Sequence, residues 1–149
     1  MRIDPNAWYP IRIELDTLRR MRERVGENAI FQVGTRIPAS VVLPPTVVDV
    51  DTALASLDVA YHMNHGRDGV PLFDPATGRM SEGIGHFEHR WTSAQEASVT
   101  APGPFPCALN RGIVTGLVRR FQPRATVELD ASRPSLGAGG ATSTYVVRW

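Results

Sequence analysis

Between Pro10 and Gly26 the apolar positions Ile11, Leu15, Leu18, Met21 and Val25 recur at intervals of three and four. That spacing lines one face of an α-helix. Pro10 suits the first helical turn and Gly26 the stop. A second, short helix is predicted over 27–35, with Pro38 blocking its continuation. The run VVLPPTVVDV holds Pro44 and Pro45 and reads as an extended connector. A third helix is predicted through DVDTALASLDVAYHMNH, with Asp49 or Asp51 as its cap. Val50, Leu54, Leu57 and Tyr61 share one face of it, and Ala53, Ala60 and Met63 fill in beside them.

The period changes after this point. Residues 66–83 carry Pro71, Pro75 and four glycines and read as a loop, either a mobile flap or a plain surface excursion. IGHFEHRWT alternates and is aromatic, which predicts a strand, and QEASVTA is its antiparallel partner. Beyond the proline-broken APGPFPCALN, Asn110 is placed to cap a helix with Ile113, Val114, Leu117 and Val118 inward and Pro123 as its end. ATVELDA and STYVVRW are strands flanking the glycine turn SLGAGGATS. The second half thus reads strand, strand, helix, strand, strand. The expected fold is α+β, with N-terminal helices packed on a small antiparallel sheet, and residues 1–149 form one domain.

Composition narrows the function classes. A chain of 149 residues buries a core without disulfides or a structural metal. A net charge of +1 gives no field to recruit nucleic acid or an acidic membrane. The arginines at 19–24 are interleaved with Met21 and Glu23 and read as a solvated helix face. The single cysteine, Cys107, excludes an internal disulfide and fits a cytoplasmic setting. The opening MRIDPNAWYP is too polar for a signal peptide. No run of about 18 apolar residues predicts a membrane span.

The candidate chemistry lies in the histidines. YHMNHG holds His62 and His65, and GHFEHR holds His86 and His89. Residues three apart on a helix share a face, so His62 and His65 can serve one ion or ligand. On a strand, residues three apart point oppositely, so only one of His86 and His89 can join them. Phe87 and Trp91 share the face of His89, which favours His89, but a bulge would reverse the parity and both stay open. Three imidazoles with an open position suit zinc or iron. The plainer alternative makes His62 and Asn64 a helix cap and His65 a surface residue. Tyr61 and Trp91 are placed to line a pocket for a planar ligand, or are core. Catalytic candidates are His62 with Glu88 as acid and base, and Cys107, whose helix N-terminus lowers a thiol pKa. Cys107 reads equally as a small buried hydrophobe, and Glu88 as solvent-facing. GAGG at 137–140 lacks a lysine and sits between strands, so it is a turn and no phosphate loop.

The stretch PFPCALNRGIVTGLVRRFQPRATVELDASRPSLGAGGATSTYVVRW resembles the closing half of the 4-vinyl-reductase domain family. That family is grouped with the haem NO/oxygen-binding (H-NOX) domains and the TRAPP-type trafficking subunits. The resemblance rests on the helix CALNRGIVTGLVRRF with its small residues Gly112 and Gly116, the strand ATVEL, and the aromatic-basic last strand. It covers 83–149, with the rest alike in layout only. It implies a sensor or carrier domain that holds a small, apolar or planar molecule between helices and sheet, frequently as a homodimer. Tyr61, His62, His65, His86 and Trp91 are then the expected ligand-binding residues, and His62, His65, His86 and His89 the expected metal set. A small metal-dependent or acid/base enzyme, or a ligand-free interaction subunit, are the alternatives. Ser135 and Ser143 stand where many such sequences carry cysteine, and no Tyr-x-Ser-x-Arg run is present, so zinc or iron is expected ahead of haem.

Overall fold

Helix α1 (Ile11–Val25) and helix α2 (Glu27–Ala39) are separated by Gly26, whose φ of 86° is a conformation side-chain-bearing residues rarely adopt. The computed structural model describes residues 3, 4 and 6–149. The reading of the first ten residues as a polar, non-leader segment therefore lies partly outside the described residues. The stripe of α1 turns Leu18 into the core and packs Leu15 and Met21 beside it, while Ile11 and Val25 at its ends stay exposed.

Helix α2 runs through Pro38 instead of stopping before it. Proline removes a donor and crowds the carbonyl four residues back, but here it sits one residue from the helix end, so only the last turn is affected. Arg120 Nη1 then donates to the carbonyls of Pro38 and Val41, both at 2.7 Å, and satisfies the end of α2. Helix α3 (Val50–Met63) starts at Asp49. The Asp49 carboxylate accepts from the Thr52 backbone N–H, and the Thr52 hydroxyl accepts from the Asp49 N–H. Asp51 does not cap it. The face Val50, Leu54, Leu57 and Tyr61 is buried with Ala53, whereas Ala60 and Met63 remain exposed.

The glycine-rich stretch after α3 is knitted rather than free. Strand β1 (Gly66–Arg67) pairs with β2 (Val70–Pro71), and β3 (Phe73–Asp74) with β4 (Arg79–Met80). Between them Leu72 is buried, and its N–H donates to the carbonyls of His62 and His65 at 3.1 and 2.9 Å. The segment is thereby pinned to the end of α3.

Strands β5 (Glu88–Ser93) and β6 (Glu96–Pro102), helix α4 (Cys107–Val118), and strands β7 (Thr126–Leu129) and β8 (Thr142–Arg148) complete the chain. The four strands form an antiparallel sheet in the order β5-β6-β8-β7. The fold is α+β, with its N-terminal helices and small antiparallel sheets as the sequence predicts. The inward alternation of β6 (Ala97, Val99, Ala101) and β8 (Tyr145, Val147) meets Leu54 and Leu57 of α3 and Val114, Leu117 and Val118 of α4 in the main core. Each fully buried aliphatic side chain there contributes roughly 1.5–3 kcal/mol.

Two boundaries differ from the sequence expectation in ways that matter below. Strand β5 begins at Glu88, so Ile84, Gly85, His86 and Phe87 lie ahead of the ladder. Helix α4 begins at Cys107, with Pro106 as its N-cap, so Asn110 is an interior, buried helix residue and caps nothing. Helices α2 and α4 cross in very close contact. A Cβ on Gly34 would strike the Leu109 carbonyl, one on Gly112 the Phe31 carbonyl, and one on Gly116 the Thr35 carbonyl. Among the described residues no helix is long and apolar enough to cross a membrane.

Candidate functional site

The C-terminal end of α3 carries three chemistry-bearing positions, Asp58, Tyr61 and His62, and a fourth, His65, follows just beyond the Asn64 C-cap. Because α3 stops at Met63, His65 leaves the helical pitch, and the two histidines enter different surroundings. The Tyr61 ring packs on both, at 5.6 Å between centroids for His62 and 4.5 Å for His65.

His62 is fully buried. Its Nδ1 lies 2.9 Å from the Asp58 carbonyl oxygen and 3.4 Å from Asp58 Oδ1. A carbonyl only accepts, so Nδ1 carries the proton and donates, and Nε2 keeps its lone pair. That Nε2 is buried and has no partner. The His86 ring stacks on the His62 ring with centroids 5.0 Å apart. His86 Nδ1 lies 2.8 Å from Asp58 Oδ2, and His86 Nε2 lies 2.8 Å from Glu82 Oε2. The hydrogen bond to Asp58, and secondly that to Glu82, raise the His86 pKa from 6.5 to about 9, against a smaller opposing effect of burial. Asp58 Oδ1 also accepts from the Phe87 backbone N–H at 2.9 Å, tying α3 to the segment that leads into β5. One ring nitrogen of His62, one of His86 and a carboxylate oxygen of Asp58 lie within 4.8 Å of one another.

The other histidines stand apart from this cluster. His65 Nδ1 donates to the Tyr61 carbonyl at 2.6 Å, and its ring meets Phe105 edge-on. His89 Nε2 lies 3.4 Å from Asp51 Oδ1. The set His62, His65, His86 and His89 therefore does not assemble as expected. The structure joins His62 with His86, because His86 precedes β5 and strand alternation does not govern where it points. The carboxylates that complete the group are Asp58 and Glu82. The sequence signal for Asp58 was its position one helical turn before His62, on the same face.

A cavity of about 350 Å³ opens beside the same turn. Its wall is mostly apolar, from Ile37 of α2, Leu57 and Tyr61 of α3, Leu109 of α4, and Phe87 and Phe105 from the segments before β5 and α4, with Glu14, Asn64, His65 and Asn110 as its polar members. Burial first, and then the Asp58 charge, raise the Tyr61 phenol pKa. The phenol donates toward the carbonyls of Ile84 and Gly103, each at 3.1 Å. Asn110 is 2% exposed, and its Nδ2 finds no acceptor in the protein. Of the expected ligand-binding residues, Tyr61 and His65 line this cavity, and His62, His86 and Trp91 do not. Trp91 is half-exposed on β5, where its Nε1 donates to Asp51 at 2.6 Å and its ring packs on Trp149.

The catalytic candidates are not brought together. Glu88 is exposed on β5. The Cys107 Sγ sits at the start of α4, 2.9 Å from the buried Ser143 hydroxyl. Among the described residues no hydrogen bond or ion pair joins any two of His62, Glu88 and Cys107.

No family model matches the chain, and no curated protein matches it.

Proposed function

We propose that the protein is a binding domain for a small, uncharged and largely apolar molecule held in the cavity between the helices and the sheet, as a sensor or carrier. The single observation that carries this reading is Asn110. A buried amide left without an acceptor costs about 1–3 kcal/mol, and a leucine of similar size would cost nothing there. A ligand carbonyl, ether or hydroxyl oxygen in the cavity supplies the missing acceptor. The about 350 Å³ cavity is at the small end of the range for ligand pockets. His65 offers a second polar contact, because its Nδ1 is committed to the Tyr61 carbonyl and leaves Nε2 as an acceptor. Glu14 on the lining disfavours an anion.

The resemblance to the 4-vinyl-reductase and H-NOX group belongs to the same proposal, as does a homodimer. Support for the dimer is the exposed apolar run Trp8, Tyr9, Ile11 and Ile13, next to Glu14 in the chain. Sedimentation analysis tests it.

The experiment for the cavity compares 2-acetylnaphthalene with naphthalene by calorimetry, alongside native mass spectrometry of the protein as purified. The expected result is one molecule per chain, with the ketone preferred, and that preference lost in Asn110→Leu. Equal, non-saturating uptake of both compounds would overturn the reading.

A further inference from the structure

We propose that Asp58, His62 and His86 form a binding site for one first-row divalent cation, with zinc as its simplest occupant, and that Glu82 positions His86 for it. The site is distinct from the ligand cavity and stands or falls independently of it.

Three observations lead there. First, a carboxylate and two imidazoles present ligand atoms within 4.8 Å of one another. Zinc ligands in a tetrahedral shell lie roughly 3.3 Å apart, given zinc–nitrogen bonds of about 2.0–2.1 Å. The group therefore needs to close by at most roughly 1.5 Å at its widest pair, within reach of side-chain rotation. Second, His62 is 0% exposed and its Nε2 has no partner. A buried lone pair without a donor is unexplained by packing, and a cation answers it. Third, each imidazole has an oxygen outside the ligand set on one nitrogen, while the other nitrogen of His86 faces Asp58 Oδ2 at 2.8 Å, a contact the ion would replace. The Asp58 carbonyl holds His62 Nδ1, and Glu82 reaches His86 Nε2 at 2.8 Å. Metal-binding histidines are commonly oriented in this way, by an acceptor on the nitrogen that does not bind the ion.

The chemistry of the donors selects the ion. Two imidazoles and a carboxylate, with no thiolate, suit zinc, iron(II) or manganese(II) better than calcium or magnesium. Access is also present: the Asp58 and His86 side chains are 23% and 33% exposed, so an ion enters from solvent and a water completes its shell. His65 and His89 take no part, since each is committed elsewhere.

The test is zinc titration of the chelator-stripped protein against a chromophoric zinc indicator, with cobalt(II) absorption in the visible as a second readout. The expected result is one zinc per chain, held at least 10-fold more weakly by Asp58→Asn, His62→Gln and His86→Gln. Glu82→Gln weakens it by about 10-fold through lost orientation, and His89→Ala leaves it unchanged. Circular dichroism reports whether the buried His62 variant folds. His86 and Glu82 are partly solvent-exposed, so their variants decide the matter should it not. Absence of stoichiometric zinc binding by the folded wild-type protein, or affinity unchanged in both Asp58→Asn and His86→Gln, would overturn the site.

Discussion

The imidazoles of His62 and His86 lie stacked, their planes inclined by 27°, and the Asp58 carboxylate reaches both. His65, the nearer histidine in sequence, instead packs between Tyr61 and Phe105 on the cavity wall. Substitutions at the two α3-end histidines therefore separate. His65→Ala weakens 2-acetylnaphthalene by about 3–10-fold, the loss of one aromatic ring from the cavity wall, and leaves zinc affinity unchanged. His62→Gln does the reverse. Calorimetry on both variants with both probes checks this, and a common effect on one probe would contradict it.

Asn110→Leu removes a polar group that lacks a partner in the ligand-free protein. The variant is expected to unfold at higher denaturant, by about 1 kcal/mol. A loss of stability of that size would mean the amide is satisfied in solution.

The pH dependence follows from His86. Its pKa is raised from 6.5 to about 9 on folding, so the folded state binds its proton more tightly. The stabilisation is complete below about pH 6.5 and is lost as pH rises through 9. Because the side chain is one-third exposed, solvent screening holds it to about 1 kcal/mol. Urea unfolding of metal-free protein at pH 6, 8 and 10 is expected to show this decline, and His86→Gln to flatten it.

Asp58→Ala removes the acceptor for both the Phe87 N–H and His86. A loss of about 2–3 kcal/mol is expected, from one lost charge-assisted bond and one orphaned backbone donor. Chemical denaturation at pH 7 measures it, and a change below 0.5 kcal/mol, on the order of a surface substitution, would show that the carboxylate does not hold α3 to the segment before β5.

Much of the fold is legible in the residue pattern, because long apolar stripes leave few options. Ile11 to Val25 and Val50 to Tyr61 mark α1 and α3, and the alternation of Ala97, Val99 and Ala101 marks β6. Pro38 misled because proline is a stop signal only where further turns would follow it. The site is harder to see. The His62 and His65 spacing is helical, but the helix ends between them, and a boundary error of two residues redirects a side chain entirely. The alternation of IGHFEHRWT gives His86 a strand face it does not have, since β5 starts after it. Asp58 and Asn110 owe their roles to burial and to partners distant in sequence, which no local pattern displays.

The crossing of α2 and α4 has a bearing on the cavity that its geometry alone makes plain. Ile37 belongs to one of these helices and Leu109 and Ile113 to the other, and all three wall the cavity. How near they stand is set by hydrogen atoms at positions 34, 112 and 116, where even a methyl group meets main-chain oxygen. A related chain with alanine at any of these places must spread the helix pair, and so would enclose a differently sized chamber.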